Sequence, residues 1–246
     1  MKEIMSGSGS HTTVRRRGFV PEDQIQFTGK QLDILKKAAD EVQFLLDRGY
    51  DTRSATTFTG NHYLFSERQR LALARAVSPQ EWIRKRSSSE LLRKENRNLP
   101  ETVHIDGFNT IITLEVALSG SPVLLCRDET IRDLAGLRGT YRIIEATPVA
   151  VGMLLRKLEM LKIAKACFYL DAPVSNSGRL SGLIRQCAQK YSISVNTEII
   201  PDVDRVLEKQ EGVITGDAII LNRCVSWLNI VPEIVGQLDC VWKIRL

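Results

Sequence analysis

Apolar positions recur at steps of three and four between Lys30 and Arg48, where Leu32, Leu35, Ala39, Val42 and Leu46 fall on one face of a helix. Gly49 closes that helix, because glycine takes the left-handed conformation that ends helices at little cost. The stretch "DTRSATTFTGNHYLFSERQR" follows, and its Ser, Thr, Gly and Asn predict a structured loop. Ser66 then caps a second predicted helix, Glu67 to Ala76, with Pro79 just beyond it. The segment "RKRSSSELLRKENRNLP", six basic residues against two acids, ends at Pro100 and reads as a connection.

Past Pro100 the texture changes. "TVHID", "PVLLCR", "ACFYLD", "ISVNTEII" and "GVITGD" are short branched or aromatic runs that predict strands, and residues 148–162, 179–190 and 203–210 predict helices between them. Such alternation implies an α/β fold with a mainly parallel sheet flanked by helices, behind a helical front piece. The chain thus divides into a flexible basic arm (1–18, too poor in apolar residues to order by itself), a helical N-terminal domain (19–99) and an α/β domain (100–246).

Composition narrows the class. With 43% hydrophobic and 26% charged residues the chain is an ordinary globular protein. No apolar run approaches the roughly 18 residues of a membrane span, and "MKEIMSGSGSHTTVRRRG" lacks the apolar centre of a signal peptide, so a cytoplasmic protein without membrane contact is expected. The five cysteines are never spaced C-x-x-C and sit mostly among apolar neighbours, which predicts buried free thiols. With only His11, His62 and His104 among them, a zinc site is not expected. The net charge of +5 is uneven: residues 1–99 hold 18 Lys and Arg against 12 acids, residues 100–246 hold 16 against 17. A surplus confined to the front half suits either a polyanionic partner or a solvated basic surface. Arg15, Arg16 and Arg17, and Arg53 with Phe58, His62 and Tyr63, are the candidates to grip single-stranded RNA by charge and stacking, or else a basic tail and a packed loop. The oligomeric state, a homodimer among the options, stays open.

Three predicted strands finish on an acid: Asp106, Asp171 and Asp217. Ligands bind beyond the carboxyl ends of strands in open α/β sheets, at the crevice where strand order reverses. Acids brought together there repel one another unless a hard divalent cation supplies counter-charge. The plainer reading is that each acid caps a helix or marks a turn. "DAPVSNSGRL" offers a second site type, with Ser175, Asn176, Ser177 and Arg179 set to hold a phosphate at a helix start, or simply to cap it. His104 alternates with apolar strand residues and reads as a satisfied interior histidine.

"IDGFNTI", "FYLDAP", "PDVDRVLEK" and "GVITGDAII", in that order, resemble the successive motifs of the NYN branch of PIN-like ribonucleases over about residues 101 to 225. That resemblance implies a PIN-like, Rossmann-like domain with Mg2+ or Mn2+ held by Asp106, Asp171, Asp204 and Asp217, with Asn109 and Thr215 beside them, and RNA as substrate. Asp202 is the alternative to Asp204. Two departures are an insert containing "CRDETIRDLAGLRGTYRIIE" and the 13 positions from Asp204 to Asp217. Asp202 and Asp204 are also similar to the D-x-D of Toprim domains, which need a glutamate where "HIDGFN" has Asp106. The whole layout resembles a prokaryotic family catalogued as domain of unknown function 434 with a companion C-terminal domain. The expected function is a metal-dependent ribonuclease; the alternatives are an RNA- or nucleotide-binding adaptor without catalysis and a small-molecule phosphatase.

Overall fold

The front of the chain is helical, in the order α1 (Asp23–Gln26), α2 (Gly29–Leu46), α3 (Thr52–His62), α4 (Glu67–Ala76) and α5 (Gln80–Ser89). This is a computed structural model that describes residues 16–93, 99–136 and 139–246. Helix α2 buries Leu35, Ala39, Val42 and Leu46, the face its periodicity predicts, and Gly49 follows at φ +87°. A full capping box at Ser66 and Gln69 starts α4, satisfying two backbone donors reciprocally.

Two expectations for this region are corrected. The stretch taken for a loop is helix α3: the Asp51 carboxylate accepts from Ser54 N at 2.9 Å, and Thr56 returns its hydroxyl to Thr52 O at 2.7 Å. Its small buried residues, Ala55, Thr56, Thr59 and Gly60, are what let it pack closely. The supposed connection after Pro79 begins as helix α5, and residues 94–98 of it lie outside the described residues. Most of the basic arm, Arg15 included, lies outside them too, but its end is packed: Arg17 Nε stands 2.7 Å from Glu115 Oε2, both side chains buried.

The remainder runs β1 (Thr102–Asp106), α6 (Gly107–Leu118), β2 (Val123–Leu125), β3 (Ile131–Asp133), α7 (Ala146–Met160), β4 (Lys165–Asp171), α8 (Ser177–Ala188), β5 (Ser194–Ile200), α9 (Val203–Leu207), β6 (Val213–Ile214), α10 (Ala218–Leu221), α11 (Val231–Val235) and β7 (Lys243–Arg245). Strands β5-β4-β1-β6 form a parallel sheet in that order, with His104 opposite Cys167 on one side and Val213 on the other. The chain leaves β1 for β4 on one side and returns to β6 on the other, so the crevice of reversed order opens between β1 and β6. The protein is a mixed α/β structure with a mostly parallel sheet and helices.

"PVLLCR" is a strand, β2, but of a second sheet ordered β3-β2-β7, not of the main one. That sheet fastens the two regions together, because Leu124, Cys126, Leu134, Ile244 and Leu246 share one apolar core with α2 and α4. Position 100 is therefore no packing boundary. Among the described residues, no helix is long and apolar enough to cross a membrane. Cys126, Cys167 and Cys224 are buried free thiols, each pushed up to about 11 by burial, whereas Cys187 is half-buried and Cys240 exposed.

Candidate functional site

Asp106 ends β1 and starts α6 in one residue. Its Oδ1 accepts from Asn109 N at 3.4 Å, as a helix cap does, and its Oδ2 accepts from the Thr215 hydroxyl at 2.8 Å. Gly107 must be glycine, since a Cβ there would stand 2.5 Å from Leu170 Cδ2 and 2.9 Å from Tyr169 O. The "DG" pair is thus the point where α6 is pressed onto β4. Across the crevice, Asn109 Oδ1 accepts from Gly216 N at 2.7 Å, and Thr215 Oγ1 accepts from Asp217 N at 3.0 Å. Asp217 in turn caps α10 through Oδ1, at 2.7 Å from Ile219 N. Asn109 and Thr215 therefore bolt the end of β6 to the end of β1. Thr215, buried with its hydroxyl engaged, positions its neighbours and does not itself line the cavity that the acids share.

The four acids singled out in the sequence, Asp106, Asp171, Asp204 and Asp217, line one cavity of about 410 Å³, together with Asn109. Asp106 is only 6% exposed. Burial chiefly raises its carboxyl to about 7; the Thr215 hydrogen bond pulls down, and the charges of Asp217 and Asp171 push up again. Asp204, on the rim, is raised by partial burial and then by Asp217 and Asp171, and Asp171 by burial and Asp202. These groups sense each other's charge, which is what convergence predicts. Among the described residues, no three His, Cys, Asp or Glu side chains already stand together in a set that could hold a metal ion.

Other candidates fall elsewhere. Asp202 caps α9, accepting from Arg205 N at 3.1 Å, and does not line the cavity. Ser175 exchanges hydrogen bonds with Tyr141 N and O at 2.9 and 3.1 Å, and Asn176, at φ +65°, donates to Tyr141 O at 2.6 Å. Both pin the Tyr141 segment instead of facing the acids. Ser177 opens α8 and does not line the acid cavity, and Arg179 lines another cavity of about 310 Å³ with Arg142 and Asn176. His104 Nδ1 sits 3.1 Å from the Tyr169 hydroxyl, the satisfied histidine expected. Of the stacking candidates, Phe58 is 71% exposed, but Tyr63 is spent on Glu41 at 2.7 Å and against Phe65.

The cavity also has residues that no motif announced. The insert supplies Arg132, Asp133 and Tyr141, and α4 supplies Arg75. Arg132 Nε donates to Gly216 O at 2.6 Å, and its Nη2 to Asp128 Oδ2 at 2.5 Å, where Arg86 Nη1 also donates at 2.5 Å. The only hint in sequence was the run of charges in the insert, and charge runs usually mark solvated surface.

These features define a mixed α/β protein in which a helical piece and a parallel sheet close around one acid-lined cavity. The chain belongs to the family described as domain of unknown function DUF5616, matched over residues 96–233, and residues 34–88 match the protein of unknown function DUF434. It is similar to the protein named "Uncharacterized protein MJ0935" of Methanocaldococcus jannaschii, with 34% identity over 187 residues, 76% of this chain and 88% of that protein. No solved structure matches.

Proposed function

We propose that the protein is a Mg2+- or Mn2+-dependent ribonuclease whose C-terminal region is PIN-like and whose acid cavity is the active site. One observation carries the reading: acids from separate strand ends and from α9 converge on one cavity, and the deepest of them, Asp106, is held near neutrality at about 7. The donor set fits a hard divalent cation, being carboxylate and amide oxygens with no thiolate or imidazole among the lining groups. A ready-made trio is not required, since magnesium commonly keeps several waters and is held by one or two carboxylates. Such a cation supplies counter-charge to the acids and stabilises charge on a phosphodiester.

The chain's own groups do the rest. Asp204, whose carboxylate takes no hydrogen bond among the described residues, and Asp171, whose carboxylate draws only on backbone N–H groups such as that of Val203, are the acids freest to hold the cation or its waters. Asp217 Oδ1 is held by the α10 backbone, which fixes the carboxylate toward the cavity. Asp106, close to its own midpoint at neutral pH while no cation is bound, is the acid that gives up its proton when one binds. The exposed Arg53, Phe58 and His62 of α3 and the basic surplus of the front half suit an RNA strand outside the cavity.

The test is cleavage of a labelled single-stranded oligoribonucleotide in Mn2+, with chelator as control. Asp106→Asn and Asp217→Asn should each slow it by about a hundredfold or more; unchanged cleavage by either variant sinks the reading. A second reading, an RNA-binding adaptor without catalysis, draws on the absence of a preassembled ligand trio among the described residues. Binding that weakens with salt yet ignores both chelator and acid substitutions would select it.

A further inference from the structure

Five acids line the cavity, Asp133 being the fifth, and a phosphodiester entering it meets their charge. Two arginines line it as well, Arg132 and Arg75. Each guanidinium nitrogen of Arg132 is engaged: its Nε donates to Gly216 O, its Nη2 to Asp128 and its Nη1 to Arg75 O. Arg75 differs. Its Nη1 alone is engaged, donating to Asp133 O at 2.5 Å and to Asp133 Oδ1 at 3.3 Å. No acceptor among the described residues meets its Nε or Nη2, and a third of the side chain (33%) is open to solvent.

The position of Arg75 is fixed by more than its own side chain. It sits in the last turn of α4, whose terminal carbonyls are tied to the β2–β3 hairpin: Arg127 N donates to Ala76 O at 2.9 Å, and Arg132 Nη1 to Arg75 O. The Asp133 carboxylate that steers it is anchored in turn, with Oδ1 accepting from Ala135 N at 2.7 Å and Oδ2 from Thr113 Oγ1 at 3.2 Å. A guanidinium clamped at one nitrogen, with its remaining N–H groups in an acid-lined cavity, is prearranged for paired hydrogen bonds to phosphoryl oxygens.

We propose that Arg75 binds the phosphate of the substrate that the acid cavity acts on, so that the helical piece, within the segment 34–88, contributes a substrate-binding residue to the site. This rests on the ribonuclease reading above for its substrate class, a phosphodiester. It makes the two regions one functional unit.

Inorganic phosphate is the probe, titrated calorimetrically into the full chain at pH 8 in saturating Mn2+, with Mn2+ affinity measured separately. Arg75→Ala should weaken phosphate binding about tenfold, about 1.4 kcal/mol, and leave Mn2+ affinity unchanged. Arg75→Lys, which keeps the charge but loses the fork, should fall between, and it decides the matter if the alanine variant does not fold. Phosphate binding by either variant equal to the wild type overturns the proposal, while loss of Mn2+ binding in Asp217→Asn in that same case would leave the acid site standing. If the wild type takes up no Mn2+, the reading of the acids falls, and metal-free phosphate titration judges Arg75 alone: loss in Arg75→Ala upholds it and no change overturns it.

Discussion

Two of the carboxylates buried among the described residues, Asp128 and Asp106, are treated oppositely by their surroundings. At the seam between the helical piece and the insert, Asp128 receives Arg86 and Arg132, each at 2.5 Å, along with the Thr130 hydroxyl at 2.6 Å. Burial alone would raise its carboxyl, but the two arginines and the hydrogen bonds outweigh it and hold the group below the ordinary range. At the end of β1, Asp106 has a hydroxyl and a backbone N–H, but no cation of its own, and it rises to about 7. A buried charge that the chain neutralises is part of the scaffold; one left short of counter-charge is a candidate for work.

The largest effect should come from the compensated site. Asp128→Asn strands two arginines, Arg86 being 2% exposed, and should cost about 3 to 5 kcal/mol in denaturant unfolding; a loss under about 1 kcal/mol would mean the seam tolerates bare charge. At the other site the sign reverses. Asp106 is raised from 3.8 to about 7, so its contribution favours folding below pH 4 and is lost as pH climbs to 7. Asp106→Asn should therefore match the wild type near pH 4 and exceed it by up to about 4 kcal/mol at pH 8. A constant difference across that range would remove the contrast.

Divalent cation should erase much of that deficit. At a hundredfold above its dissociation constant, Mn2+ should stabilise the wild type by about 2.7 kcal/mol. The gain should be larger at pH 8 than at pH 5, where protons compete, and absent in Asp217→Asn. Equal stabilisation of wild type and variant would place the ion elsewhere. Smallest of all, Asn109→Ala frees Gly216 N and should cost about 1 kcal/mol of stability while slowing cleavage more than that loss explains. An effect on stability alone would make Asn109 mere scaffold.

One side of this contrast, the acids at the strand ends, was legible in sequence; the other was not. The acids at the ends of β1 and β4 and just past β6 stood out because a short apolar run leading to Asp is a local pattern, and α2 and α4 were legible through periodicity and a cap. Helix α6 was not, because "GFNTIITLEVAL" is buried on nearly every side and so has no polar face to set a period. Helix α3 hid behind loop-like composition that serves close packing. Strands β3 and β7, three residues each, are too short to carry an alternation. Arg75, Arg132 and Asp133 were invisible for another reason: their meaning lies in partners more than fifty residues away, such as Arg75 and Asp133 at a separation of 58.

The most direct measurement is the proton count on Mn2+ binding, obtained by calorimetry at pH 6 in two buffers of different ionisation enthalpy. With Asp106 held near 7 and mostly protonated at that pH, ion binding should release about one proton, and Asp106→Asn should abolish the release. Mn2+ binding without proton release, or no binding at all, would contradict the claim that this cavity is a carboxylate site waiting for a cation.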